Sequence, residues 1–410
     1  MRVLWTKAGK LLPVDTGGKI RSYNLLQHLA KWHELTVLSY YGERRDLEYE
    51  REIGDRFPGA ETVWTGAPDA SVLHYARHIL SPAPYAVTKF TAPGVRRLIG
   101  RWMAERRFDV AVCDFLSASL NFPPAPLTPC VLFQHNVESV LWRRQAEHEP
   151  NALKRLAFSI EARKMARYER DAVARFAHVI AVSEGDREAM SVMTDPARVS
   201  VVPTGVNVGE YRAAAGTPAV DPIVVFLGSM DWEANIDAVE YFCRDIWPAV
   251  RAAVPDAQFR IVGRNPHPRV LRLASTSVVV TGTVPAVLDH LKETAVFVVP
   301  LRIGGGTRLK IFEAMAAGRA VVSSSIGAEG LDVHDGRDIV LADTGARFAE
   351  SVIGLLRDPL RRARIGRSAA ESAAGHDWQA VAKQMEAILL RLAASADSRP
   401  EDSLMERVAM

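Results

Sequence analysis

The stretch VFVVPLRIGGGTRLKIFEAMAAGRAVVSSSIGAEG at residues 296–330 constrains the fold of this chain more than any other part of its sequence. Its pattern predicts, in order, a buried strand at 296–301, a tight loop at Gly304, Gly305 and Gly306, a helix at 307–317 and a second strand at 320–323. A strand, a helix and another strand in succession are typical of α/β proteins with a parallel sheet. The stretch therefore predicts the α/β fold class.

The glycine loop and the helix after it are suited to bind a nucleotide diphosphate. Glycines followed by a helix start leave backbone N–H groups facing outward, which favours a phosphate, and Arg308 and Lys310 add positive charge. Thr307, Lys310 and Glu313 share one helical face. Glu313 lies roughly 9 Å beyond the loop, where its carboxylate could accept hydrogen bonds from a ribose. The alternative is an ordinary α/β crossover whose glycines close a turn.

Length and composition indicate a soluble enzyme or binding protein with two domains. The chain has 410 residues, more than a single core usually contains. Hydrophobic residues make up 48% and charged residues 24%, and the net charge of +3 is too small to favour nucleic acid binding. Cys113, Cys130 and Cys243 are too widely spaced to suggest a disulfide framework or a zinc site. Because no leader-like or membrane-spanning apolar run is present, we expect a cytoplasmic protein.

The first half of the chain opens with a second candidate for anion or sugar binding. Residues 2–6 predict a strand, and the loop after it ends in Gly17 and Gly18 at the start of a helix. Arg21 lies one turn into that helix and is a candidate for contact with the acceptor or the cleft. The loop does not have the GxGxxG pattern of dinucleotide-binding proteins.

Polar side chains follow two later strands at the point where each strand ends. Asp114 follows the predicted strand at 110–113, and His135 and Asn136 come just after the strand at 130–133. Open α/β sheets bind ligands outside the carboxyl ends of their strands, so these residues are candidates for an acceptor site. His135 could donate a hydrogen bond to a substrate hydroxyl or act as a base, or it could simply cap the next loop.

Two basic stretches leave a choice between a membrane contact and an ordinary covering helix. In Val95–Arg107 an apolar stripe that includes Trp102 is surrounded by five arginines, and residues 154–170 form a second basic stretch. A basic amphipathic helix can dock on an anionic membrane, or it can cover a sheet with its charged face in solvent. We predict that Val95–Arg107 contacts an anionic membrane surface.

The second half repeats the alternation of strands and helices, so the sequence predicts two doubly wound domains. A segment rich in Ala, Gly and Pro at 212–222 is typical of a linker. We expect an N-terminal domain at 1–207, a C-terminal domain at 208–375, a helix at 376–394 that returns to the N-terminal domain, and a flexible tail at 395–410.

Several motifs together resemble the retaining glycosyltransferases of family 4. They are the TGG loop, the QHN strand end, the PTGVN turn and RLKIFEAMAAG. The resemblance implies the GT-B fold, in which two Rossmann-like domains face each other across a cleft. It also implies that the C-terminal domain holds a nucleotide-diphosphate sugar and the N-terminal domain holds an acceptor. Transfer would proceed with retention and without a metal ion or other cofactor.

The resemblance also assigns roles to individual residues. It places Glu313 on the nucleotide ribose, Gly18 near the donor phosphates and His135 beside the donor sugar. Two features depart from the family pattern: Gly305 stands where a glutamate is usual, and Gly228 begins a GSMD loop that lacks the usual Arg and Lys. Arg308 and Lys310 are expected to supply the missing charge.

The function predicted from the sequence is a hexosyltransferase of bacterial surface polysaccharide or glycolipid synthesis. Its partners would be a nucleotide-sugar donor and a glycan or lipid-linked acceptor, and we expect a location in the cytoplasm or on the inner face of the membrane. A non-catalytic nucleotide-sugar-binding protein on the same fold is the alternative, because of the two departures. A nicotinamide-dependent oxidoreductase is disfavoured, since neither half has GxGxxG after its first strand.

Overall fold

The computed structural model describes residues 1–66, 81–149, 151–215, 221–303 and 309–397. Contacts within the chain divide it into two units, each built on its own parallel sheet. Unit 1 comprises Met1–Pro203 together with residues 381–397, and unit 2 comprises Thr204–Ala380. The last helix of the described chain therefore begins in unit 2 and ends in unit 1.

Unit 1 contains seven described strands in the order β3-β2-β1-β4-β5-β6-β7, and all neighbouring pairs are parallel. The strands are β1 Arg2–Ala8, β2 Glu34–Tyr41, β3 Glu61–Trp64, β4 Val110–Asp114, β5 Cys130–Phe133, β6 His178–Ala181 and β7 Val199–Val201. Strands β4, β5 and β6 are buried along their whole length, because helices cover both faces of a doubly wound sheet. This explains their continuous apolar sequences.

The helices of unit 1 follow the strands along the chain. They are α1 Gly17–Leu29, α2 Leu47–Arg56, α3 Tyr85–Thr88, α4 Pro93–Ala104, α5 Glu138–His148, α6 Ala152–Arg175 and α7 Glu184–Ser191, with 3₁₀ turns at Leu116–Asn121 and Pro196–Arg198. Asn151 caps α6 by accepting the N–H groups of Leu153 and Lys154. Ser183 caps α7 in the same way, as its position in the sequence predicts.

Strands β1 and β4 lie at the centre of the unit 1 sheet, where the strand order reverses. Doubly wound folds bind ligands outside the carboxyl ends of the strands at such a reversal, because the connecting loops diverge there. The last residues paired between these two strands are Lys7 and Asp114. The fold of unit 1 therefore favours a site beside this pair.

Unit 2 is a second doubly wound unit, with six described strands in the order β10-β9-β8-β11-β12-β13. The strands are β8 Ile223–Leu227, β9 Gln258–Val262, β10 Val278–Gly282, β11 Val296–Val299, β12 Ala320–Ser323 and β13 Val340–Leu341. The helices are α8 Val208–Ala215, α9 Glu233–Tyr241, α10 Trp247–Ala253, α11 Pro268–Leu271, α12 Val287–Glu293, α13 Leu309–Ala316, α14 Gly345–Arg357 and α15 Pro359–Ala374, with a π turn at Phe242–Ile246. The strand order of this unit reverses between β8 and β11.

The predicted fold class, two doubly wound α/β units, is confirmed. Every strand predicted from an apolar run is present, whereas β3 and β13 were not predicted. Glu61–Trp64 is a partly exposed edge strand without an apolar run, and Val340–Leu341 has only two residues. Such strands are set by pairing with a neighbour rather than by their own sequence.

The sequence predicts a linker at 212–222. For residues 212–215 this prediction is wrong, because they belong to the helix Val208–Ala215 of unit 2. The chain passes from unit 1 to unit 2 at Pro203 and Thr204. Val206 donates its N–H to the carbonyl of His376 at 2.8 Å, so the PTGVN turn is already tied to unit 2. Residues 216–220 lie outside the described part of the chain.

The predicted basic helix at Val95–Arg107 does form, as Pro93–Ala104, but its apolar stripe is not available to a membrane. Val95, Ile99 and Trp102 are buried in the unit 1 core, and the Trp102 ring packs edge-on against a phenylalanine of that core. The alternative interpretation is therefore the correct one: this helix covers the sheet of unit 1 with its apolar side and does not present that side to a membrane. It ends early because Arg106 adopts a positive φ of 49°, which no helix can continue through.

The C-terminal helix α16, Trp378–Asp397, is held to unit 1 by polar and apolar contacts. Glu386 Oε1 lies 2.9 Å from His33 Nε2, and Lys383 Nζ lies 3.7 Å from the centre of the Trp32 ring. Leu389 is completely buried, whereas its neighbour Leu390 is 46% exposed. The apolar face of this helix thus contributes to the core.

We predict that Leu389→Ala destabilises the protein much more than Leu390→Ala. Truncation of a fully buried leucine removes apolar contacts and leaves a cavity, which typically costs about 2–5 kcal/mol. Truncation of the exposed Leu390 should lower the free energy of unfolding by less than about 0.5 kcal/mol. Chemical denaturation of both variants measures the difference. Equal effects would show that this part of α16 is not packed as described.

Candidate active site

Asp114 and His135 meet at the carboxyl edge of the unit 1 sheet. Asp114 ends β4, His135 lies just beyond β5, and both side chains are almost fully buried. Asp114 Oδ1 is 2.9 Å from His135 Nε2, a close contact that does not meet the geometry of a hydrogen bond. The imidazole packs against Phe115 and Phe133, with ring centroids 5.3 and 4.7 Å away. Two residues that the sequence places at one edge are therefore in direct contact.

The second oxygen of Asp114 accepts hydrogen bonds from two residues of β1. Lys7 Nζ lies 2.9 Å from Oδ2, and Trp5 Nε1 donates to the same atom at 3.0 Å. Lys7 also donates to Ser22 Oγ at 3.3 Å. Burial alone would raise the pKa of Asp114, but Lys7, His135 and Ser22 hold it well below its usual value. Asp114 is thus a fixed negative charge inside unit 1.

The start of helix α1 lies against the imidazole of His135. A side-chain carbon at position 18 would stand only 3.1 Å from His135 Nδ1, so Gly18 allows the helix start to approach the ring. Thr16 does not cap this helix through its side chain, and Gly17, its first residue, is exposed. The N–H groups of the first turn can therefore bind an anionic ligand beside Nδ1.

His135 is a neutral imidazole at physiological pH. Burial lowers the pKa of His135 to about 4, although the Asp114 carboxylate acts in the opposite direction. Because Nε2 faces a carboxylate, the ring proton belongs on Nε2 and Nδ1 is an acceptor. Nδ1 can thus accept a hydrogen bond from a hydroxyl group held near Gly18.

Arg21 contributes charge to this site from beneath its surface. Its side chain lies one turn into α1 and only 3% of the residue is exposed. Burial lowers the pKa of Arg21 to about 10, against the effect of Asp114 and Asp186, so the guanidinium stays positive. Its burial favours a role in charge balance over the direct acceptor contact that the sequence suggested.

Asn136 belongs to a different group of side chains from His135. Its Nδ2 atom donates to Glu138 Oε1 at 2.7 Å. The buried Glu169 carboxylate accepts the N–H groups of Glu138 and Ser139 at 2.8 and 3.0 Å, and also the side-chain amide of Gln134 at 3.1 Å. A carboxylate from α6 therefore caps the start of α5.

In unit 2, Lys310 connects the helix after β11 to the end of β8. Its Nζ atom lies 2.9 Å from Asn235 Oδ1 and 4.1 Å from the centre of the Phe226 ring. Phe226 is part of β8, and Asn235 lies in α9, which follows β8. Lys310 therefore lies at the reversal of strand order in unit 2, where its fold favours a ligand.

The loop after β8 is built closely around this lysine. A side-chain carbon at Gly228 would stand 2.6 Å from Asn235 Nδ2 and 2.9 Å from Lys310 Nζ, so a larger residue there would displace these two side chains. Asn235 Nδ2 donates to the carbonyl of Ser229 at 2.9 Å, and Arg264 Nε donates to Ser229 Oγ at the same distance. Two cations from other elements thus adjoin a loop that carries none.

Glu313 lies one turn beyond Lys310 on α13, and its carboxylate is engaged within unit 2. The Tyr211 hydroxyl of α8 donates a hydrogen bond to it. Burial raises the pKa of Glu313, while Tyr211 and Lys310 act in the opposite direction. The residue can bind a ribose or hold α8 in place, and the contact with Tyr211 makes both roles testable.

Five predicted donor residues, Gly304, Gly305, Gly306, Thr307 and Arg308, lie outside the described part of the chain. Sequence reasoning missed Lys7 and Trp5 in unit 1 and Asn235 and Arg264 in unit 2. A signal existed for Lys7, because a lysine near the end of an apolar first strand lies where a doubly wound sheet binds ligands. Asn235 and Arg264 carried no comparable signal.

Glu138 was also missed, and it yields a pH-dependent prediction. Burial raises the pKa of Glu138 to about 7, with Glu169 acting in the same direction and Asn136 opposing it. The folded protein then binds a proton that the unfolded chain has released, so this residue destabilises the fold increasingly from about pH 4.5 to above pH 7. We predict that Glu138→Gln raises stability at pH 8 by roughly 1–3 kcal/mol and changes it little at pH 4.5. Urea denaturation at both pH values measures this, and a gain of equal size at both would contradict it.

Comparison with known proteins identifies the type of enzyme. Residues 16–210 match the family model described as Glycosyltransferase Family 4. Residues 221–358 match the family model described as Glycosyl transferases group 1. The phosphatidyl-myo-inositol mannosyltransferase of Mycobacterium leprae (strain TN) is 27% identical over 334 residues, or 78% of this chain and 84% of the relative.

Solved structures share the fold at low sequence identity. Sucrose-phosphate synthase from Thermosynechococcus elongatus has a TM-score of 0.68 at 17% identity, covering 96% of this chain and 100% of that chain. Anabaena HepE, solved in complex with UDP, has a TM-score of 0.67 at 16% identity, covering 95% and 100%. The chain is therefore a glycosyltransferase of the GT-B fold, and its match to the family 4 model is followed along the sequence by its match to the group 1 model.

Proposed function

We propose that this glycosyltransferase moves a hexose from a nucleotide-diphosphate donor to a lipid-linked or glycan acceptor in the synthesis of a bacterial surface polysaccharide or glycolipid. The anomeric configuration is retained, and no metal ion or other cofactor takes part. Unit 2 holds the donor, and unit 1 holds the acceptor and supplies His135. The observation that carries the proposal is the position of Lys310, which lies where the strand order of unit 2 reverses.

The contacts of Lys310 support a role in binding the donor diphosphate. A diphosphate needs cations or many N–H donors when it leaves water. Lys310 is oriented by Asn235 and Phe226, so its ammonium group is positioned before a ligand arrives. Arg264 adjoins the same loop through Ser229. These two cations compensate for the Arg and Lys that the loop lacks, and together they stabilise the departing nucleotide diphosphate.

The neutral imidazole of His135 supports a role beside the donor sugar. A neutral ring adds no positive charge next to an electron-deficient reacting carbon, and its Nδ1 can accept a hydrogen bond from a sugar hydroxyl. Asp114, held by Lys7 and Trp5, keeps the ring in this tautomer. Gly18 gives the sugar's phosphate access to the start of α1.

Two similar proteins support the choice of donor and acceptor. The name of the mycobacterial relative specifies mannose transfer to phosphatidyl-myo-inositol, and HepE has been solved with UDP and with UDP-glucose. We therefore propose a lipid-linked acceptor and a location on the inner face of the cell membrane. Among the described residues, no helix has the length and apolar character needed to cross a bilayer.

We predict that Lys310→Met and Glu313→Gln affect different parts of the nucleotide. Lys310→Met removes a charge-assisted hydrogen bond worth roughly 1.5–3 kcal/mol, so binding of a nucleoside diphosphate should weaken at least about tenfold while binding of the nucleoside hardly changes. Glu313→Gln should weaken binding of both ligands, because it alters the contact with the ribose. Calorimetric titration with uridine, guanosine and thymidine derivatives measures these affinities.

Tyr211→Phe is the matched control for Glu313. It removes only the hydroxyl that donates to Glu313, so it tests whether the contact holds α8. If Glu313 serves stability alone, both variants should lower the melting temperature equally without changing intrinsic affinity. Equal losses for nucleoside and diphosphate in Lys310→Met would refute the assignment of this lysine to the diphosphate.

We predict that His135→Gln lowers turnover at least about 100-fold and leaves the fold intact, because a glutamine amide can reach Asp114 from the position of Nε2 but has no acceptor at the position of Nδ1. His178→Gln is the control. His178 is another buried histidine, and burial likewise lowers its pKa to about 4, but it lies at the amino end of β6. Sugar transfer and melting temperature are measured for both. Full turnover in a folded His135→Gln enzyme would exclude the proposed role.

A further inference from the structure

Helices α5 and α6 of unit 1 form a hairpin with an open groove along one side. The groove has a volume of about 500 Å³. Its polar walls carry Arg143, Arg155 and Arg163, and alanines at positions 146, 162 and 166 form its floor. The lining positions recur every three or four residues, so they occupy one face of each helix. Small floor residues keep the groove open, and packing of Trp142 on Phe158 holds the two helices together.

The groove has an excess of positive charge. Within the described chain, no carboxylate lies at ion-pair distance from the guanidinium groups of Arg155 and Arg163. Glu147 is the acidic residue that lines the groove, and it lies 4.0 Å from Arg143. Three guanidinium groups around an apolar floor match a phosphate that carries an apolar chain.

Two leucines near the tip of the hairpin are exposed to solvent beside these arginines. Leu153 is 81% exposed and Leu156 is 60% exposed, and both belong to the first turns of α6. Leu156 lies one residue after Arg155, next to the groove. Exposed leucines beside arginines are the pattern of a segment that lies in a membrane interface, with charges at the headgroups and apolar side chains below them.

We propose that this hairpin docks unit 1 on a membrane, with the phosphate of an acidic phospholipid in the arginine-lined groove and with Leu153 and Leu156 among the acyl chains. The surface differs from Val95–Arg107, whose apolar stripe is buried. The inference rests on the membrane location proposed above, but docking requires no sugar donor, so a failure to dock can be distinguished from a failure of sugar transfer.

The test is flotation of the full-length protein with phosphatidylcholine vesicles that contain or lack phosphatidylglycerol. One variant combines Arg143→Gln, Arg155→Gln and Arg163→Gln, and a second combines Leu153→Ser with Leu156→Ser. Since a basic residue near an anionic surface contributes roughly fivefold in binding, the triple variant should lose more than about tenfold on acidic vesicles. The leucine variant should lose binding that persists at high salt. If the triple variant does not fold, Arg155→Gln alone replaces it in the test, and it should bind acidic vesicles about fivefold more weakly than the unaltered protein.

Matched controls use equivalent residues elsewhere on the surface. Arg96→Gln, Arg97→Gln and Arg101→Gln remove the same charge from α4, and Leu360→Ser removes a leucine that is 84% exposed. Both controls should bind acidic vesicles within about twofold of the unaltered protein. The proposal is overturned if the controls lose as much binding as the hairpin variants. It is also overturned if the hairpin variants bind normally.

A second arm separates a lipid headgroup from a soluble phosphate. Calorimetry with inorganic pyrophosphate, without vesicles, compares the unaltered protein with the triple arginine variant. Only the difference between the two reports the groove, because the proposed donor site at Lys310 can also bind a diphosphate. We expect at most a small difference, because the acyl chain then contributes nothing. Tight pyrophosphate binding that the arginine variant abolishes, together with no vesicle binding, would identify a soluble-anion site and overturn the membrane assignment.

Discussion

The buried negative charge of Asp114 is the interaction on which the candidate site of unit 1 depends. A carboxylate without water must be paired, and here the pairing comes from Lys7 and Trp5 on one oxygen and from His135 at the other. These partners come from separate parts of the sequence that meet where the sheet reverses its order. This charge fixes the tautomer of His135, the histidine of the candidate site.

Apolar runs made most of the fold predictable. Strands such as β5 and β11 are buried on both faces, so their sequences are continuously apolar and easy to recognise. Prediction failed where a neighbour, and not the local sequence, determines the structure. The alanine-rich segment Val208–Ala215 is a helix because it packs within unit 2, and β13 exists only through its pairing with β12.

The site was predictable to the extent that it follows from topology. Asp114 and His135 were expected at one edge because both follow strands, and they are in contact. Side-chain partners were harder to foresee: Asn136 bonds Glu138 rather than joining His135, and Lys310 is held by Asn235 of another helix. Such pairs form only when distant segments come together in the folded protein. Helical periodicity and motif spacing do not predict which segments meet.

The capping of α5 by Glu169 has a mechanical consequence. This carboxylate holds the first N–H groups of the helix a few residues after His135, so the hairpin leaves unit 1 at a fixed angle. Helix α5 has 11 residues, and at 1.5 Å per residue it extends about 16 Å to its tip. If the hairpin docks on a bilayer as proposed, this fixed angle would also fix the distance between His135 and the bilayer surface.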